Sequence, residues 1–422
     1  MASEFLLTND TSYISSTIID GNANGRVINA ISSWSNTCND FNTFSCLESD
    51  FNTAIIGFTI QNGKTSYSGS GNYESMHGAG INAEGALIKN NIIKDNLGSN
   101  APMYSGAARG AGAYLTNCMV IDCEIKNNTF EGNDFHKGAG LDITNCMILN
   151  SRIFKNNEFF DINGSAQTGN VYKGGGIYAE SENLIKGCEI YNNHSQWGGA
   201  IHGYKAKIIN CNIHNNQATN GVLSFTNNND TSLIINSRIS MDSARFGNLW
   251  LISGYGNNSV LHINNSTING RALGISSGNC IQSIYLSDSR TVNITNSILV
   301  GSVYCSQLYA SFHIKNSYFT YGWGQELDSA WCVPGQFAPF TPSFSQYVFH
   351  PDVNAISNGL ISADNLINGD FNSDSLFVNS ILGNYNLSDF SSCIGAGLDT
   401  SIVPIADLDG NIRPNPAGSN PD

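Results

Sequence analysis

The sequence predicts an all-β fold, a right-handed parallel β-helix (β-solenoid), and three observations support this. The stretch from Tyr172 to Asn216 contains one pattern twice: a glycine cluster, an alternating strand and a closing Asn-Asn pair. The last part of that pattern recurs along the chain with a large apolar residue in one column. The residue two positions before this column is small, and the residue three positions before it is usually Asn. Strand repeats of about 20–35 residues are typical of solenoids, and we expect about ten or more coils.

The apolar column gives each coil a side chain that faces its interior. Parallel strands joined by crossovers wind right-handed, so stacked coils would bury this column in one continuous core. The column consists of Ile60, Ile93, Ile125, Ile153, Ile190, Ile213, Ile239, Ile268, Leu299 and Phe319.

The column three positions earlier predicts how each coil turns. Asn tolerates left-handed backbone geometry, which a tight turn requires. Because neighbouring strands lie about 4.8 Å apart, successive amides in this column can also hydrogen-bond to one another, and we predict an Asn ladder. The members are Asn90, Asp122, Asn150, Gly187, Asn210, Asn236, Asn265, Asn296 and Asn316.

One continuous solenoid is expected rather than separate domains. Residues 1–56 would form an N-terminal cap and the first coils, 57–320 the β-helix, and 321–422 an irregular covering segment, the last coils and a tail. The longest insertions are Leu97–Gly110, Thr129–Gly138 and Glu158–Gly174. All three follow an Asn-Asn turn and precede a glycine cluster, so we expect loops on one face, where repeat proteins often bind their ligands.

Composition excludes several classes of partner. The net charge of −14 argues against a general nucleic-acid binder and an anionic membrane surface. No apolar run approaches the ~18 residues of a membrane span, and the opening residues lack the pattern of a signal peptide. We expect a monomer without membrane insertion, in a secreted or cell-surface setting.

The eleven cysteines show no zinc-binding spacing. Five occupy repeat positions, where we expect them to fill core slots: Cys118, Cys123, Cys146, Cys188 and Cys211. The candidate disulfides are Cys38 with Cys46 and Cys280 with Cys305.

Two C-terminal segments resemble a known family. The stretch DSLFVNSILGNYNLSDFSSCIGAG (Asp374–Gly397) and the following DLDGNIRP (Asp407–Pro414) are similar to the C-terminal signature of bacterial right-handed parallel β-helix repeat proteins. Ser375 and Ser392 replace the usual prolines of that signature, and Gly395 replaces its usual acid. The resemblance implies a pectate-lyase-like shape and a secreted or surface bacterial protein. It leaves function open, because the family includes surface proteins, adhesin-like passengers and polysaccharide-active enzymes.

Strand alternation predicts a row of side chains that point outward after each glycine cluster. Aromatic rings in this row, Tyr114, Tyr178 and Trp250 among them, suit the stacking of sugar rings. Aromatics that merely cover a sheet are the alternative. The full row is Asn82, Tyr114, Asp142, Tyr178, His202, Ser224, Trp250, Tyr285 and Tyr309.

Two carboxylates at this row predict glycoside hydrolysis. Asp142 and Glu180 would be diagonal neighbours on adjacent coils, about 7–8 Å apart at Cβ. Paired carboxylates serve glycosidases as acid and as base or nucleophile, and His202 would tune a pKa or hold a hydroxyl. A surface Asp and Glu without catalytic role is the alternative.

A second row stands immediately before each glycine cluster: His77, Arg109, Lys137, Lys173 and Trp197. Its cations would bind the carboxylates of an acidic polysaccharide. In a uronate lyase Lys137 or Lys173 would also remove a proton from carbon. Ion pairs with loop carboxylates are the alternative. No cofactor is predicted, with Ca²⁺ as the alternative; a calcium-assisted lyase would need an acidic cluster, and this groove offers only Asp142 and Glu180.

Three functions therefore remain open: a glycoside hydrolase, which we expect first, a uronate lyase, and a non-catalytic glycan-binding or adhesin-like protein.

Overall fold

The computed structural model describes most of the N-terminal half of the chain and separate strands of the C-terminal half. The described residues are 4–31, 45–65, 76–98, 108–131, 136–157, 171–226, 228–240, 250–270, 282–286, 290–300, 302–305, 311–315, 317–320, 361–364, 367–369, 377–379, 384–389, 391, 393–394 and 405–413. Two compact units are present: unit 1 comprises Met1–Lys207 and Asn216–Ala218, and unit 2 comprises Ile208–Asn215 and Thr219–Asp422.

Unit 1 begins with the short helices Glu4–Thr8 and Ser12–Ser16 and also contains the 3-10 turn Glu48–Asp50. Three columns of parallel strands follow, because each coil contributes short strands separated by turns. The first sheet contains Ile18–Asp20, Thr59–Gln61, Ile92–Lys94, Glu124–Lys126, Arg152–Phe154 and Glu189–Tyr191. The second contains Ile28–Ile31, Ile81–Glu84, Ala113–Thr116, Leu141–Thr144, Ile177–Lys186 and Ile201–Ile209, together with Thr53–Ile56, Ala86–Lys89, Met119–Ile121 and Met147–Leu149. The third consists of Leu97–Gly98 with Thr129–Phe130, and of His136–Lys137, Val171–Lys173, His194–Trp197 and Gln217–Asn220.

Unit 2 repeats the first two columns. Its first sheet contains Asn212–His214, Arg238–Ser240, Thr267–Asn269, Ile298–Val300, Tyr318–Thr320 and Ile367–Gly369. Its second contains Leu223–Thr226, Trp250–Tyr255, Gln282–Leu286 and Ser302–Cys305, together with Thr231–Ile235, Val260–Asn264, Thr291–Thr295, Ser311–Lys315 and Ile361–Asp364. An antiparallel pair, Phe377–Asn379 with Asn384–Leu387, follows.

The strand register confirms the predicted apolar column and the right-handed parallel β-helix. In unit 1, Ile60 lies opposite Ile93, and the column continues through Ile125 and Ile153. These side chains are fully buried. Burying apolar side chains in every coil is the main stabilising contribution to such a fold.

The predicted Asn column adopts the expected backbone, but the main amide ladder lies elsewhere. Asn90 and Asn150 have φ values of 52° and 48°, which confirms the left-handed turn. The continuous ladder is formed by the closing Asn of each repeat, where Nδ2 of Asn96 donates to Oδ1 of Asn128 at 2.9 Å. The same bond links Asn128, Asn156, Asn193 and Asn216 in succession. These closing residues are buried, so their amides need partners inside the protein, whereas the turn residues of unit 1 are half-buried or exposed, as at Asn90 and Asn150.

The small-residue column is selected for hydrogen bonding as well as for size. The hydroxyl of Ser151 accepts a bond from the backbone N–H of Cys123 at 3.1 Å and donates to the carbonyl of Leu149 at 2.8 Å. Cys123 repeats this arrangement with the N–H of Asn91 at 3.4 Å. Ser, Cys and Asn share this ability to accept and donate, which explains why they alternate here. Cys118, Cys123, Cys146, Cys188 and Cys211 are free and buried, which confirms the core positions.

Glycine is required where coils approach most closely. A Cβ atom on Gly140 would lie 2.5 Å from the carbonyl oxygen of Gly176 and 3.0 Å from Nδ2 of Asn156. The glycine clusters therefore let the chain pass directly against the amide ladder.

Several predictions fall on undescribed residues. Most of the insertions Leu97–Gly110 and Glu158–Gly174 does, as does part of Thr129–Gly138. The other undescribed positions are Cys38, Cys280, Tyr309, Asn316 and the side chains of Cys305 and Tyr285. Cys46 is disulfide-bonded. Within the described part of the chain, no helix is long and apolar enough to cross a membrane.

Candidate functional site

Two rows of side chains meet at a corner of unit 1. The first row is His77, Arg109, Lys137, Lys173 and Trp197, and each member stands five residues before its counterpart in the second row, Asn82, Tyr114, Asp142, Tyr178 and His202. A glycine follows each first-row residue, and its φ lies between 60° and 71°. This left-handed turn folds the third sheet onto the second and brings the two rows together.

Strand register aligns both rows. Lys137 pairs with Lys173, and Lys173 with Trp197, on neighbouring strands. In the second row, Asp142 lies opposite Tyr178, while Thr144 lies opposite Glu180. Asp142 and Glu180 are therefore diagonal neighbours on the same side of the sheet, as the alternation predicts.

The second row is covered rather than exposed. Asp142, Tyr178 and His202 are each 0% exposed although they point away from the core. First-row cations lie over this row: the guanidinium of Arg109 is 5.0 Å from the ring centre of Tyr114, and Nζ of Lys137 is 4.8 Å from that of Tyr178. The expectation of an exposed aromatic row is thus wrong for these residues, because alternation gives the direction of a side chain but not what covers it.

Arg109 is the centre of an ion cluster. Its Nε and Nη2 donate to the two carboxylate oxygens of Asp142 at 2.7 and 2.8 Å. Nη2 also donates to Glu180 at 2.5 Å. Because Nη2 of Arg109 contacts both carboxylates, the distance between Oδ1 of Asp142 and Oε2 of Glu180 cannot exceed the sum of these two hydrogen-bond lengths. Lys137 adds a longer contact of 3.9 Å to Glu180.

The pKa values of the two carboxylates are shifted in opposite directions. Burial raises the pKa of Asp142 to about 6, against the opposing effect of Arg109. Burial also acts to raise the pKa of Glu180, but Arg109 and Lys137 outweigh it, so that this pKa is lowered. The Glu180 side chain is 31% exposed and that of Asp142 is not exposed, so only Glu180 is accessible from outside.

The lysines and the histidine are also perturbed. Burial, reinforced by the charge of Lys137, lowers the pKa of Lys173. Burial with the charges of Lys173 and Lys137 lowers the pKa of His202 well below its usual value, which keeps its ring neutral. A lowered pKa makes the Lys173 amine easier to deprotonate, which is the direction that a general base requires.

An aromatic cluster continues from the ion cluster. The rings of Tyr178 and His202 stack at 5.6 Å, and Tyr204 meets both edge-on. The hydroxyls of Tyr178 and Tyr204 are 2.8 Å apart, and that of Tyr178 donates to Glu180 at 3.2 Å. Tyr204 is a member of the cluster that the sequence analysis did not assign to the site. Its position two residues after His202, equivalent to Glu180 after Tyr178, is the signal that identifies it.

The remaining predicted residues lie at or beyond the edge of this cluster. Tyr114 packs against His77, with ring centres 4.7 Å apart, and Trp197 is half-buried at the end of the first row. Trp250 begins a strand of unit 2, and its side chain is outside the described residues. Among the described residues, no three His, Cys, Asp or Glu side chains are grouped so as to hold a metal ion.

No family model and no curated protein matches this chain. Inferences about function therefore depend on the geometry of the corner.

Proposed function

We propose that this protein is a carbohydrate-active β-helix that binds an acidic polysaccharide at the corner of unit 1 and cleaves it by β-elimination. The observation that supports this is a row of cations in a protein of net charge −14: among the described residues, Arg109 contacts Asp142 and Glu180, Lys137 contacts Glu180, and Lys173 lies next to Lys137 on the neighbouring strand. A uronate carboxylate would replace solvent next to Lys137, which is 26% exposed. Such charge-assisted contacts are the strong ones in sugar-acid recognition.

Lys173 is the proposed base. Its neutral amine removes the proton from C5 of the uronate, the electron pair forms the C4–C5 double bond, and the C4–O bond breaks. The ammonium formed on Lys173 then returns its proton to the leaving oxygen, so that the step needs no other reactant. Lys137 would stabilise the charge that develops on the uronate carboxylate, which is the usual role of a fixed cation near a carbanion.

Hydrolysis is the second candidate, because the pKa values of Asp142 and Glu180 are shifted in opposite directions. Divergent pKa values within a carboxylate pair are typical of an acid and a base with separate roles. The burial of Asp142 beneath Arg109 favours elimination instead, since a sugar would reach Asp142 only after displacement of that guanidinium.

A non-catalytic glycan-binding protein is the third alternative and would use the same surface without turnover. For all three, we propose a secreted or cell-surface location in a bacterium, where polysaccharides are encountered, and a monomer as the active form.

The experiment uses the full chain with polygalacturonate, alginate and a neutral β-glucan as substrates. Elimination produces unsaturated uronate ends that absorb in the ultraviolet, whereas hydrolysis produces reducing ends without that absorbance. Lys173→Met is expected to lower kcat for elimination at least about 100-fold, the usual contribution of a general base. The matched control is Lys186→Met, an exposed lysine of the second sheet.

The outcomes separate the three candidates. Ultraviolet-absorbing products that still form in Glu180→Gln but no longer form in Lys173→Met support elimination. Reducing ends that form without ultraviolet absorbance, and that no longer form in Glu180→Gln, would favour hydrolysis over elimination. Binding without either product would leave only the glycan-binding protein.

A further inference from the structure

Glu180 places a carboxylate among three donors at the corner of unit 1. Its Oε2 accepts from Nη2 of Arg109 at 2.5 Å. Its Oε1 accepts from the hydroxyl of Tyr178 at 3.2 Å and lies 3.9 Å from Nζ of Lys137. Two of these donors are cations, and charge-assisted hydrogen bonds to carboxylates are among the strong ones in proteins. The three donors therefore form a carboxylate-binding subsite, and a side chain of the protein itself fills it.

The Glu180 carboxylate is able to leave this subsite, whereas the Asp142 carboxylate is fixed. Asp142 is 0% exposed and makes two bonds to the guanidinium of Arg109. The Glu180 side chain is 31% exposed, so a change of its side-chain torsions carries the carboxylate into water, where it is hydrated. Nδ2 of Asn183 donates to the carbonyl of Glu180 at 2.7 Å and holds the backbone in place. Only the side chain of Glu180 has to move.

A ligand carboxylate has to take the position of Glu180 rather than bind beside it. Two carboxylates on the same donors would repel each other, whereas an exchange of one for the other leaves the charge of the corner unchanged. Tyr178 is 0% exposed, and a ligand reaches its hydroxyl only where the Glu180 carboxylate now lies. A uronate that enters beside Lys137 therefore competes with Glu180 for the other two donors.

We propose that Glu180 is a built-in competitor of the substrate, and that a uronate carboxylate binds by displacing it from Arg109, Lys137 and Tyr178. This inference rests on the acidic-polysaccharide binding proposed above and names the groups that hold the carboxylate of the substrate. A neutral sugar has no charge to replace that of Glu180, so it does not compete for the subsite. Glu180 is thus a specificity-determining residue that lowers the affinity for every ligand and excludes uncharged ones.

The test is isothermal titration calorimetry on the full chain with galacturonate, mannuronate and galactose. These monosaccharides have no glycosidic bond at C4, so binding is measured without turnover. Glu180→Gln keeps the size of the side chain and removes the competing charge. It is expected to bind at least one of the two uronates at least about tenfold more tightly than wild type, because the ligand no longer displaces hydrogen bonds to a charged group. Glu180→Ala should show the same gain, and the affinity for galactose should not change.

The matched control is Glu182→Gln, two residues further along the same strand. Glu182 forms an ion pair with Lys205 and is 19% exposed, so this variant removes one negative charge and leaves the subsite intact. It should change the affinity for uronates less than about threefold, since salt screens charges that are not in contact with the ligand. Adding Lys137→Met to Glu180→Gln should remove most of the gain, because one of the two cations of the subsite is lost.

An affinity for uronates that is unchanged in Glu180→Gln and Glu180→Ala, or that rises equally in Glu182→Gln, overturns the inference. Tighter binding of galactose, or a gain that Lys137→Met does not reduce, also overturns it. Turnover of polygalacturonate and alginate by the same variants tests β-elimination separately. If wild type forms no unsaturated product but Glu180→Gln binds uronate more tightly, β-elimination fails and the subsite stands. If product forms with equal KM in wild type and Glu180→Gln, the subsite fails and β-elimination stands.

Discussion

Removal of Arg109 tests whether the ion cluster of unit 1 is built around a buried charge. In Arg109→Met the Asp142 carboxylate, which is 0% exposed, loses both of its bonds to the guanidinium. Breaking a buried ion pair by deleting one partner costs about 3–5 kcal/mol. We expect about 3 kcal/mol at pH 8, since Arg109 itself is 17% exposed and Lys137 also acts on Asp142.

The loss of stability caused by Arg109→Met should be larger at high pH than at low pH. The pKa of Asp142 in the folded protein is about 6, above its usual value of 3.8, so the folded state binds this proton more tightly than the unfolded state. Wild-type protein therefore loses stability from this group as pH rises from about 4 to about 6. Without Arg109 the folded pKa rises further, and the loss continues to higher pH. At pH 5, where Asp142 is mostly protonated in both proteins, we expect the cost of Arg109→Met to fall to about 1 kcal/mol.

The assay is guanidinium-induced unfolding followed by far-ultraviolet circular dichroism at pH 5 and pH 8. Arg152→Met is the matched control, because Arg152 also bridges two carboxylates, Glu124 at 2.9 Å and Glu189 at 3.4 Å, but is 49% exposed. Exposed bridges contribute about 0–1 kcal/mol, so the control should change little. Adding Asp142→Asn to Arg109→Met should recover at least half of the loss at pH 8. A cost that is equal at the two pH values, or equal to that of Arg152→Met, would refute a buried charge at Asp142.

Four further predictions concern the fold and the thiols. Asn156→Ala should lower the free energy of unfolding by about 2–4 kcal/mol in the same assay, because it removes the acceptor of the buried Asn128 N–H and the donor to the Ile125 carbonyl, together with two bonds of the ladder; no change would mean that the ladder is not stabilising. Gly140→Ala should destabilise by at least about 2 kcal/mol, since its Cβ would meet the carbonyl of Gly176 at 2.5 Å, and a normal unfolding midpoint would contradict that close approach. Cys123→Ser should change stability by less than about 1 kcal/mol because Ser151 makes the equivalent bonds, whereas Cys123→Ala should cost more. Burial raises the pKa of Cys123 to about 12, so iodoacetamide should label this thiol only after unfolding, and rapid labelling of the native protein would argue against its burial.

The site could be predicted only in part. The positions of Arg109, Lys137 and Lys173 in one row, and of Asp142 diagonal to Glu180, follow from counting residues between glycine clusters. What covers a side chain does not follow from that count, because Arg109 reaches beyond its own coil to the next two. The burial of Asp142 and the pairing of Tyr178 with Tyr204 depend on such contacts between coils.

The sequence by itself determined the parallel β-helix, since its repeats set the apolar column, the left-handed turns and the glycine clusters within each coil. These are local consequences of residue type and spacing. Only the tertiary structure decided which Asn column forms the continuous ladder, because the choice depends on which amides are buried against the next coil. It alone also decided that the Asp142 carboxylate is enclosed beneath a guanidinium, since stacking brings together residues that lie 33 positions apart in the chain.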